Sequence, residues 1–133
     1  MSMGKLQRIL VVDDDEQVLL VFHDALVRLG CEFEIVTASN GRAALEKTRE
    51  TSFDLIITDL RMPHMDGIEL TEAIRAVDLE VVVIWMTAYG CHRLSDEAAR
   101  LAIYGCLDKP VEIGEIRETV LQALRGGELR TEE

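Results

Sequence analysis

In ILVVDDD, residues 9–15, a short aliphatic run leads directly into three carboxylates, and this arrangement sets the architecture of the chain. A continuous apolar run of this length, rich in β-branched residues, is typical of a strand buried on both faces of a sheet. The acidic residues follow where the chain must leave the sheet. We therefore expect a strand of a parallel sheet that ends in an acidic cluster.

Three further polar side chains follow apolar runs in the same way, and they are Asp59, Thr87 and Lys109. The carboxyl ends of parallel strands share one edge of a sheet, and ligands bind in the crevice at that edge. Residues that are far apart in sequence should therefore meet in one pocket. Carboxylates, a hydroxyl and an ammonium at one edge suit a hard divalent cation and a phosphoryl group.

The length and charge of the chain limit what it can be. Its 133 residues suit one domain with a single core. With 25 acidic against 14 basic residues the formal net charge is -11, which disfavours nonspecific binding to nucleic acid or anionic lipid. No apolar stretch approaches the roughly 20 residues of a membrane helix, and residues 1–7 lack the pattern of a signal peptide. We expect a cytoplasmic protein.

Short aliphatic runs alternate with longer segments of helical period, and this alternation predicts an α/β fold with a parallel sheet. The predicted strands are residues 8–12, 34–37, 54–59, 81–86 and 106–108. The predicted helices are residues 16–29, 42–50, the segment from the 60–67 loop to residue 77, 95–103 and 112–125. Gly30 is expected to end the first helix, and Gly126 with Gly127 the last.

The chain divides into three parts. Residues 1–6 form an N-terminal extension whose start, MSMG, resembles a cloning scar, with a native start as the alternative. Residues 7–125 form the domain. Residues 126–133 are expected to be a disordered acidic tail or the start of a linker.

The acidic cluster has two interpretations. Adjacent carboxylates repel, so without a cation at least one should bind a proton more tightly, whereas a bound Mg²⁺ stabilises all of them ionised. The alternative is that Asp15 caps the following helix while Asp13 and Asp14 are solvated charges. Asp59 alone would start a turn or cap a helix. In the pocket it would instead hold one side of a metal and offer an oxygen nucleophile.

Thr87 and Lys109 are ordinary when each is considered alone, because Thr is common in strands and Lys is common at exposed strand ends. Lys109, however, follows apolar Leu107 closely and directly precedes Pro110. Its ammonium should therefore be held near the core, where it needs an anionic partner. The Lys109-Pro110 bond is a candidate for the cis form, which X-Pro bonds tolerate in tight turns.

The three cysteines, Cys31, Cys91 and Cys106, are odd in number, widely spaced and without a CxxC pair. This pattern argues against a zinc site and against a disulfide framework. We expect all three to be reduced packing residues, with a redox-active Cys106 as the alternative.

Taken together, these segments resemble the receiver, or phosphoacceptor, domain of two-component response regulators. The matching segments are ILVVDD at 9–14, DLIITDLRMP at 54–63 with MDG at 65–67, MTA at 86–88, and KP at 109–110. The resemblance covers about residues 7–125 and is specific, because the segments match in order and spacing. It implies a flavodoxin-like, doubly wound parallel sheet of five strands in order 2-1-3-4-5, with five helices.

The resemblance also implies a metal site. Asp59 and Asp14 would contact Mg²⁺ directly, and Asp13 would bind it through water. The backbone carbonyl of Arg61 would complete the protein ligands, with Mn²⁺ as a substitute for Mg²⁺.

By the same resemblance, Asp59 would be the phosphoacceptor of a phosphorelay, and the chain would be a phosphoprotein rather than an enzyme with a separate substrate. Lys109 would pair with an acceptor or phosphoryl oxygen, and the Thr87 hydroxyl would move to bond the phosphate once it has formed. The face made by helix four, strand five and helix five would then change.

The implied partner is a histidine kinase or phosphotransfer protein. The chain is either a stand-alone receiver or a fragment of a protein whose output domain is absent from this sequence. Direct contact with nucleic acid or a membrane is not expected. A homodimer could form through helix four, strand five and helix five, where Arg93, Arg100, Asp96 and Glu97 could make ion pairs.

One position departs from the pattern of this family. Many receivers carry Tyr, Phe or His three residues before the lysine, whereas this chain has Cys106. In those receivers the aromatic ring swings inward as the hydroxyl residue moves. Tyr89 and Tyr104 lie nearby in sequence but out of register, so Thr87 and backbone shifts alone are expected to carry the change.

Two rival functions are suggested by the same residues. A haloacid-dehalogenase-type phosphatase also uses an Asp after strand one, and Asp13 with Asp15 forms a DxD pair. Against it, Gln17 replaces the usual Thr or Val, and no second acidic motif appears late in the chain. A receiver-like binding module that no longer accepts phosphate should lack an acidic or lysine position, and none is missing. A dinucleotide site is excluded because the turn after strand one has no glycine.

Overall fold

The computed structural model describes residues 7–29 and 33–132, the last seven of them by their backbone alone, and its strands and helices alternate along the chain. The strands are β1 (Gln7–Val12), β2 (Phe33–Ala38), β3 (Leu55–Asp59), β4 (Val82–Thr87) and β5 (Gly105–Asp108). The helices are α1 (Glu16–Val27), α2 (Gly41–Glu50), α3 (Gly67–Arg75), α4 (Ser95–Arg100) and α5 (Ile113–Glu132), and a 3-10 helix, Cys91–Leu94, precedes α4.

All five strands form one parallel sheet in the order β2-β1-β3-β4-β5. This confirms the predicted α/β class and strand order. Asp59 is level with Met86 of β4, and Thr87 is level with Asp108 of β5. The carboxyl ends of the strands therefore lie together along one edge of the sheet.

Apolar residues cover both faces of the sheet, and β1 shows how one strand serves two cores. Ile9 and Val11 pack with residues of α1 and α5 on one face. Leu10 and Val12 pack with residues of α2 and α3 and with Leu101 on the other. All four β1 side chains are fully buried. Because burying such a side chain stabilises by about 1.5–3 kcal/mol, the central strands hold the site edge in place.

Three helices that follow the site edge begin with side-chain caps. The Gln17 N–H donates to Asp15 Oδ1 at 2.9 Å at the start of α1. The Ala43 N–H donates to Asn40 Oδ1 at 2.7 Å at the start of α2. Asp66 and Glu69 form a reciprocal capping box at the start of α3. Each cap contributes about 1 kcal/mol and fixes the angle at which the chain leaves the site edge.

Three helices are shorter than the sequence predicts, and the first of them, α1, ends at Val27 instead of residue 29. Helix α4 ends at Arg100 instead of residue 103, because Ala102 adopts a left-handed conformation with φ of 56°. The N–H of Ile103 donates to the Ala98 carbonyl at 3.0 Å, which closes the helix end in a Schellman arrangement. This arrangement usually carries glycine, so Ala102 gave no sequence signal. Helix α3 likewise ends at Arg75 instead of residue 77.

The last helix is longer than predicted. The expectation that Gly126 and Gly127 end it is wrong, because the backbone of α5 continues to Glu132. Glycine inside a helix costs only about 1 kcal/mol relative to alanine, and no proline follows to remove backbone hydrogen bonds. The prediction that Gly30 ends the first helix falls on a residue outside the described ranges.

The side chain of Arg75 joins three segments at the edge of the sheet opposite the site. Its Nε donates to the Leu101 carbonyl at 2.8 Å, and its Nη1 donates to the Val81 carbonyl at 2.8 Å. Weaker contacts reach the carbonyls of Asp78 at 3.2 Å and Ala102 at 3.1 Å. The ends of α3 and α4 and the start of β4 are thus held by one guanidinium.

The expectation of reduced cysteines is wrong for two of the three, because Cys91 and Cys106 form a disulfide. Their Cα atoms lie 5.8 Å apart, within the usual range for disulfides. The fold brings them together because the 3-10 helix that begins at Cys91 lies beside the edge strand β5, and sequence spacing could not show this. Cys31 lies outside the described residues.

Two smaller predictions can be compared with the structure. The Lys109-Pro110 peptide bond is cis, as predicted. Among the helices of residues 7–29 and 33–132, none combines the length and the apolar character needed to cross a membrane.

Candidate functional site

The site lies where four strands end along the shared edge. Asp13 follows β1, Asp59 ends β3, Thr87 ends β4 and Lys109 follows β5. Asp13, Asp59 and Thr87 are buried although each is polar. The predicted convergence of these residues is therefore present in the structure.

Three carboxylates form the acidic part of the site. Oxygen atoms of Asp13, Asp14 and Asp59 all lie within 4.8 Å of one another. Asp13 is fully buried and Asp59 is 5% exposed, whereas Asp14 faces solvent. Hard carboxylate oxygens at this spacing, with one side open to water, are the donor set that Mg²⁺ accepts. The residues present therefore fit a divalent cation.

Lys109 supplies the positive charge of the site. Its Nζ donates to Asp13 Oδ2 at 2.8 Å and lies 3.3 Å from Asp59 Oδ1. The predicted anionic partner of Lys109 is thus a pair of carboxylates. One ammonium only half neutralises two buried carboxylates, so the site retains a net negative charge that favours a further cation.

The pKa values of these groups reflect their burial and their contacts. Burial raises the pKa of both Asp13 and Asp59, although the charge and hydrogen bonds of Lys109 act in the opposite direction. Burial disfavours the ammonium of Lys109, but its hydrogen bond to Asp13 and the charges of both carboxylates outweigh this, and its pKa is raised. Ionised carboxylates are therefore held in the metal-free site at a cost that a bound cation would relieve.

Thr87 is held by the loop that follows it. The Tyr89 N–H donates to Thr87 Oγ1 at 3.0 Å, and the Lys109 N–H donates to the Thr87 carbonyl at 2.8 Å. The hydroxyl thus accepts one hydrogen bond from its own loop, and its proton can be directed elsewhere. The end of β4 and the residue that carries the ammonium are joined through the backbone.

The loop after β3 passes close to the site, and glycine is required where it turns into α3. A Cβ atom at Gly67 would collide with the backbone oxygen of Asp59 and would lie 2.9 Å from the Leu60 Cα. The Gly67 N–H donates to the Leu60 carbonyl at 3.1 Å, which brings the start of α3 against the end of β3. Gly67 therefore allows this loop to close behind Asp59.

Two contacts near the site gave no signal in the sequence. The Arg61 guanidinium lies 4.5 Å from the centroid of the Tyr89 ring, so the loops after β3 and β4 contact each other. The Cys91 N–H donates to Asp108 Oδ1 at 3.0 Å. Both contacts join residues of segments that are distant in sequence, which local sequence patterns do not predict. The role of the Arg61 backbone carbonyl as a metal ligand stays a prediction.

Where many receivers carry an aromatic switch residue, this chain carries Cys106, as the sequence indicated. Cys106 lies on β5 level with Trp85 of β4 and is bonded to Cys91. Tyr89 and Tyr104 are 58% and 42% exposed, and neither ring occupies the place of Cys106 in the sheet. Arg100, one of the predicted dimer residues, lies 2.8 Å from Glu72 of the same chain and also pairs with Glu97.

Comparison with known proteins gives a consistent result. A family model described as the response regulator receiver domain matches residues 9–121. The transcriptional regulatory protein ZraR of Klebsiella oxytoca is 38% identical over 121 residues, which are 91% of this chain and 27% of that protein. The sporulation initiation phosphotransferase F of Bacillus subtilis (strain 168) is 32% identical over 118 residues, which are 89% of this chain and 94% of that protein.

Solved structures agree with these sequence matches. The structure of the Vibrio cholerae chemotaxis protein CheY4 has a TM-score of 0.83 and 28% sequence identity, and the match covers 90% of this chain and 99% of that chain. The chain spans 26–27% of the length of the ZraR and AtoC regulatory proteins that it matches. It spans nearly the whole of the shorter relatives.

Proposed function

This chain belongs to the response regulator receiver domain family of two-component systems, and from that membership we propose that it accepts a phosphoryl group on Asp59. The donor is the phosphohistidine of a histidine kinase or phosphotransfer protein. The reaction depends on Mg²⁺, with Mn²⁺ as a substitute. The chain catalyses its own phosphorylation and dephosphorylation and has no separate substrate to turn over.

The observation that carries this proposal is the position of the Asp59 carboxylate. It lies within 4.8 Å of the oxygens of Asp13 and Asp14 and 3.3 Å from the Lys109 ammonium. Asp59 is almost fully buried, so its attacking oxygen is held in one place. A carboxylate so fixed beside a metal-binding pair and an ammonium suits phosphoryl transfer, in which positioning and charge neutralisation dominate.

The residues that would hold Mg²⁺ are Asp14 and Asp59 directly, Asp13 through water, and Arg61 through its backbone carbonyl. When bound, the cation neutralises charge on the phosphoryl oxygens and on the carboxylates. The remaining ligands would be water and phosphate oxygens. The exposed side of Asp14 leaves the site open to solvent, and both can enter there.

The transfer forms one bond and breaks one. An oxygen of Asp59 attacks phosphorus, the P–O bond forms as the P–N bond to the donor imidazole breaks, and the imidazole leaves with the electron pair. Lys109 stabilises the negative charge on the phosphoryl oxygens from its place beside Asp59. The Thr87 hydroxyl moves to donate to the new phosphate, and the loop bonded to Thr87 through the Tyr89 N–H shifts with it.

The signal then passes to the face formed by α4, β5 and α5. The aspartyl phosphate adds a charge of nearly -2 and three acceptor oxygens, which pull the loops after β3 and β4 toward the site. The altered face contacts an output domain or downstream partner, or a second copy of this chain. The donor kinase acts on the chain in the cytoplasm.

Intact mass after incubation with acetyl phosphate and Mg²⁺ tests this proposal. We expect the wild type to gain one phosphoryl group and to require the metal, while Asp59→Asn gains nothing. Asp24→Asn is the matched control, because Asp24 carries the same side chain on α1 and is largely exposed in its pair with Arg28. It should be phosphorylated like the wild type.

Three results would contradict the proposal in different ways. A mass gain in Asp59→Asn would place the acceptor elsewhere. Release of free phosphate without a mass gain in either protein would favour the dehalogenase-type phosphatase. No reaction with acetyl phosphate or with a phosphorylated histidine kinase would favour a binding module that does not use phosphate.

A further inference from the structure

The disulfide between Cys91 and Cys106 lies at the place where a receiver would transmit its signal. Cys91 begins the 3-10 helix that leads into α4, and Cys106 lies within β5. The bond therefore joins β5, one element of the proposed output face, to the 3-10 helix that leads directly into α4, another element of that face. Both cysteines are half-buried rather than enclosed in the core.

The disulfide is also close in the chain to the proposed switch hydroxyl. The loop between Thr87 and Cys91 contains only residues 88–90. Its first end is fixed by the bond from the Lys109 N–H to the Thr87 carbonyl, and its second end by the bond from the Cys91 N–H to Asp108. With the sulfur atoms joined, the second end is held covalently to β5. A loop this short cannot follow Thr87 freely while both ends are held.

We propose that Cys91 and Cys106 are a redox modification site that controls whether phosphorylation of Asp59 changes the face formed by α4, β5 and α5. This inference rests on the proposed function and adds a second input to it. In the dithiol state the 3-10 helix can move away from β5. In the disulfide state it is held against β5, so the acceptor site can be occupied without a response at the output face.

The chemistry is thiol–disulfide exchange with a low-molecular-mass disulfide. One cysteine thiolate attacks a sulfur of the reagent, and a mixed disulfide forms as the first small thiol leaves. The second cysteine thiolate then attacks the mixed disulfide, the bond between Cys91 and Cys106 forms, and the second small thiol leaves. Two protein thiols are oxidised and one reagent disulfide is reduced to two thiols. Disulfides of this transient kind are those that serve redox sensing in reducing compartments.

Neither sulfur atom belongs to the proposed phosphoacceptor site. Asp13, Asp14 and Asp59 lie after β1 and β3, and Lys109 follows the end of β5. Phosphorylation should therefore proceed in both redox states, and the two states should differ in the conformational response to the phosphate. A modification shifts a conformational equilibrium only if it favours one conformation over the other. The disulfide favours the conformation in which the 3-10 helix lies against β5.

The test compares wild-type protein treated with oxidised glutathione and with dithiothreitol, each with and without acetyl phosphate and Mg²⁺. Peptide mapping after alkylation measures the redox state of Cys91 and Cys106, and intact mass measures phosphorylation. Hydrogen exchange of the peptides covering residues 88–104 measures the response. We expect both forms to be phosphorylated, with a change in exchange that is at least threefold smaller in the oxidised form.

Cys91→Ser and Cys106→Ser are the matched variants. Each removes the disulfide but keeps a small side chain, so each should respond like reduced wild type under both treatments. The wild-type comparison does not depend on either variant folding.

Each outcome has one meaning. Failure of Cys91 and Cys106 to become linked under the oxidant overturns the inference, as does an equal exchange response in both redox forms. If neither form gains a phosphoryl group, the proposed function fails and the inference fails with it. The mass measurement thus separates that failure from failure of the redox inference alone.

Discussion

The Lys109 ammonium donates to the Asp13 carboxylate at 2.8 Å although the two residues are 96 positions apart in the chain. They follow β5 and β1, between which β3 and β4 lie in the sheet. At about 4.8 Å per strand the strands themselves are roughly 14 Å apart. The two loops therefore lean toward each other, and their ion pair closes over the ends of the two central strands, beside Asp59.

Replacing Lys109 with Met should lower the stability of the metal-free protein more than that of the metal-bound protein. Without the ammonium, two buried carboxylates lose their shared partner, and the free energy of unfolding should fall by about 1–3 kcal/mol. A bound divalent cation would supply part of the missing charge. Urea unfolding with and without Mg²⁺ measures both effects. Lys47→Met is the control, because Lys47 lies in the last turn of α2 and the change should cost under about 0.5 kcal/mol.

If Lys109→Met and Lys47→Met lose equal stability, the ammonium contributes nothing through the carboxylates. If Lys109→Met loses the same stability with and without Mg²⁺, the cation does not bind beside the carboxylates of Asp13 and Asp59.

The affinity for Mg²⁺ should fall as the pH is lowered. Burial raises the pKa of Asp13 and Asp59 above the ordinary value of 3.8, so the metal-free folded state binds protons more tightly than the unfolded state. Their contribution to stability is therefore present in acid and is lost as the pH rises through the raised pKa values. A cation competes with these protons, so as the pH is lowered its binding should begin to weaken while the pH is still above 3.8.

Asp13→Asn tests this assignment. The variant should bind Mg²⁺ about tenfold more weakly and should lose part of the pH dependence of its metal-free melting temperature. Calorimetric titration over a pH series measures the affinity, and thermal unfolding measures the stability. An unchanged pH dependence in the variant would mean that Asp13 does not titrate in the native protein.

Gly67→Ala should disturb the site by displacing the backbone of Asp59. The added Cβ would collide with the Asp59 backbone oxygen, and relieving that contact should cost about 1–3 kcal/mol. The phosphorylation rate with acetyl phosphate should fall as well, because Asp59 must shift. Gly114→Ala is the control, since a Cβ there meets nothing within 4 Å in the first turn of α5. It should be neutral or slightly stabilising, and similar losses in both variants would refute the explanation.

Thr71→Val should destabilise the face of the sheet that packs against α3. The indole N–H of Trp85 donates to Thr71 Oγ1 at 3.0 Å, and that hydroxyl donates to the Gly67 carbonyl at 2.7 Å. All three groups are buried, so removing the hydroxyl leaves the indole N–H unpaired and should cost about 1–3 kcal/mol. Trp85 is the single tryptophan of the chain, and its emission should shift.

Thr48→Val provides the comparison for this prediction. Thr48 donates to the Leu45 carbonyl at 2.7 Å on part-buried α2, and no other side chain of the described residues is paired with it in the structure. The change should cost less than Thr71→Val and should leave the emission of Trp85 unchanged. An emission shift in both variants would indicate a general loosening of the fold.

The parts of the structure that sequence predicts are those set by periodicity and topology. The run Ile9 to Val12 indicates a buried strand by itself, and the parallel arrangement then places the residues that follow each strand at one edge. This reasoning correctly predicts that Asp13 and Lys109 lie close together, although they are 96 residues apart and no local pattern links them. The resemblance to receivers added the strand order, which the sheet confirms.

The parts that sequence missed depend on exact backbone geometry. The end of α4 uses Ala102 in a left-handed conformation that glycine usually adopts, so no residue type marked it. The disulfide depends on where the 3-10 helix at Cys91 lies relative to Cys106. The contact of Arg61 with Tyr89 depends on the paths of two loops. None of these relationships leaves a periodic trace in the chain.

The two ends of the sheet have different roles, and Arg75 belongs to the end away from the site. The carbonyls that it binds belong to segments at the edge away from the site, where α3 and α4 end and β4 begins. Arg75 takes no part in the proposed chemistry. A mutation of Arg75 should therefore lower the thermal stability of the domain while leaving the groups of the acceptor site in place.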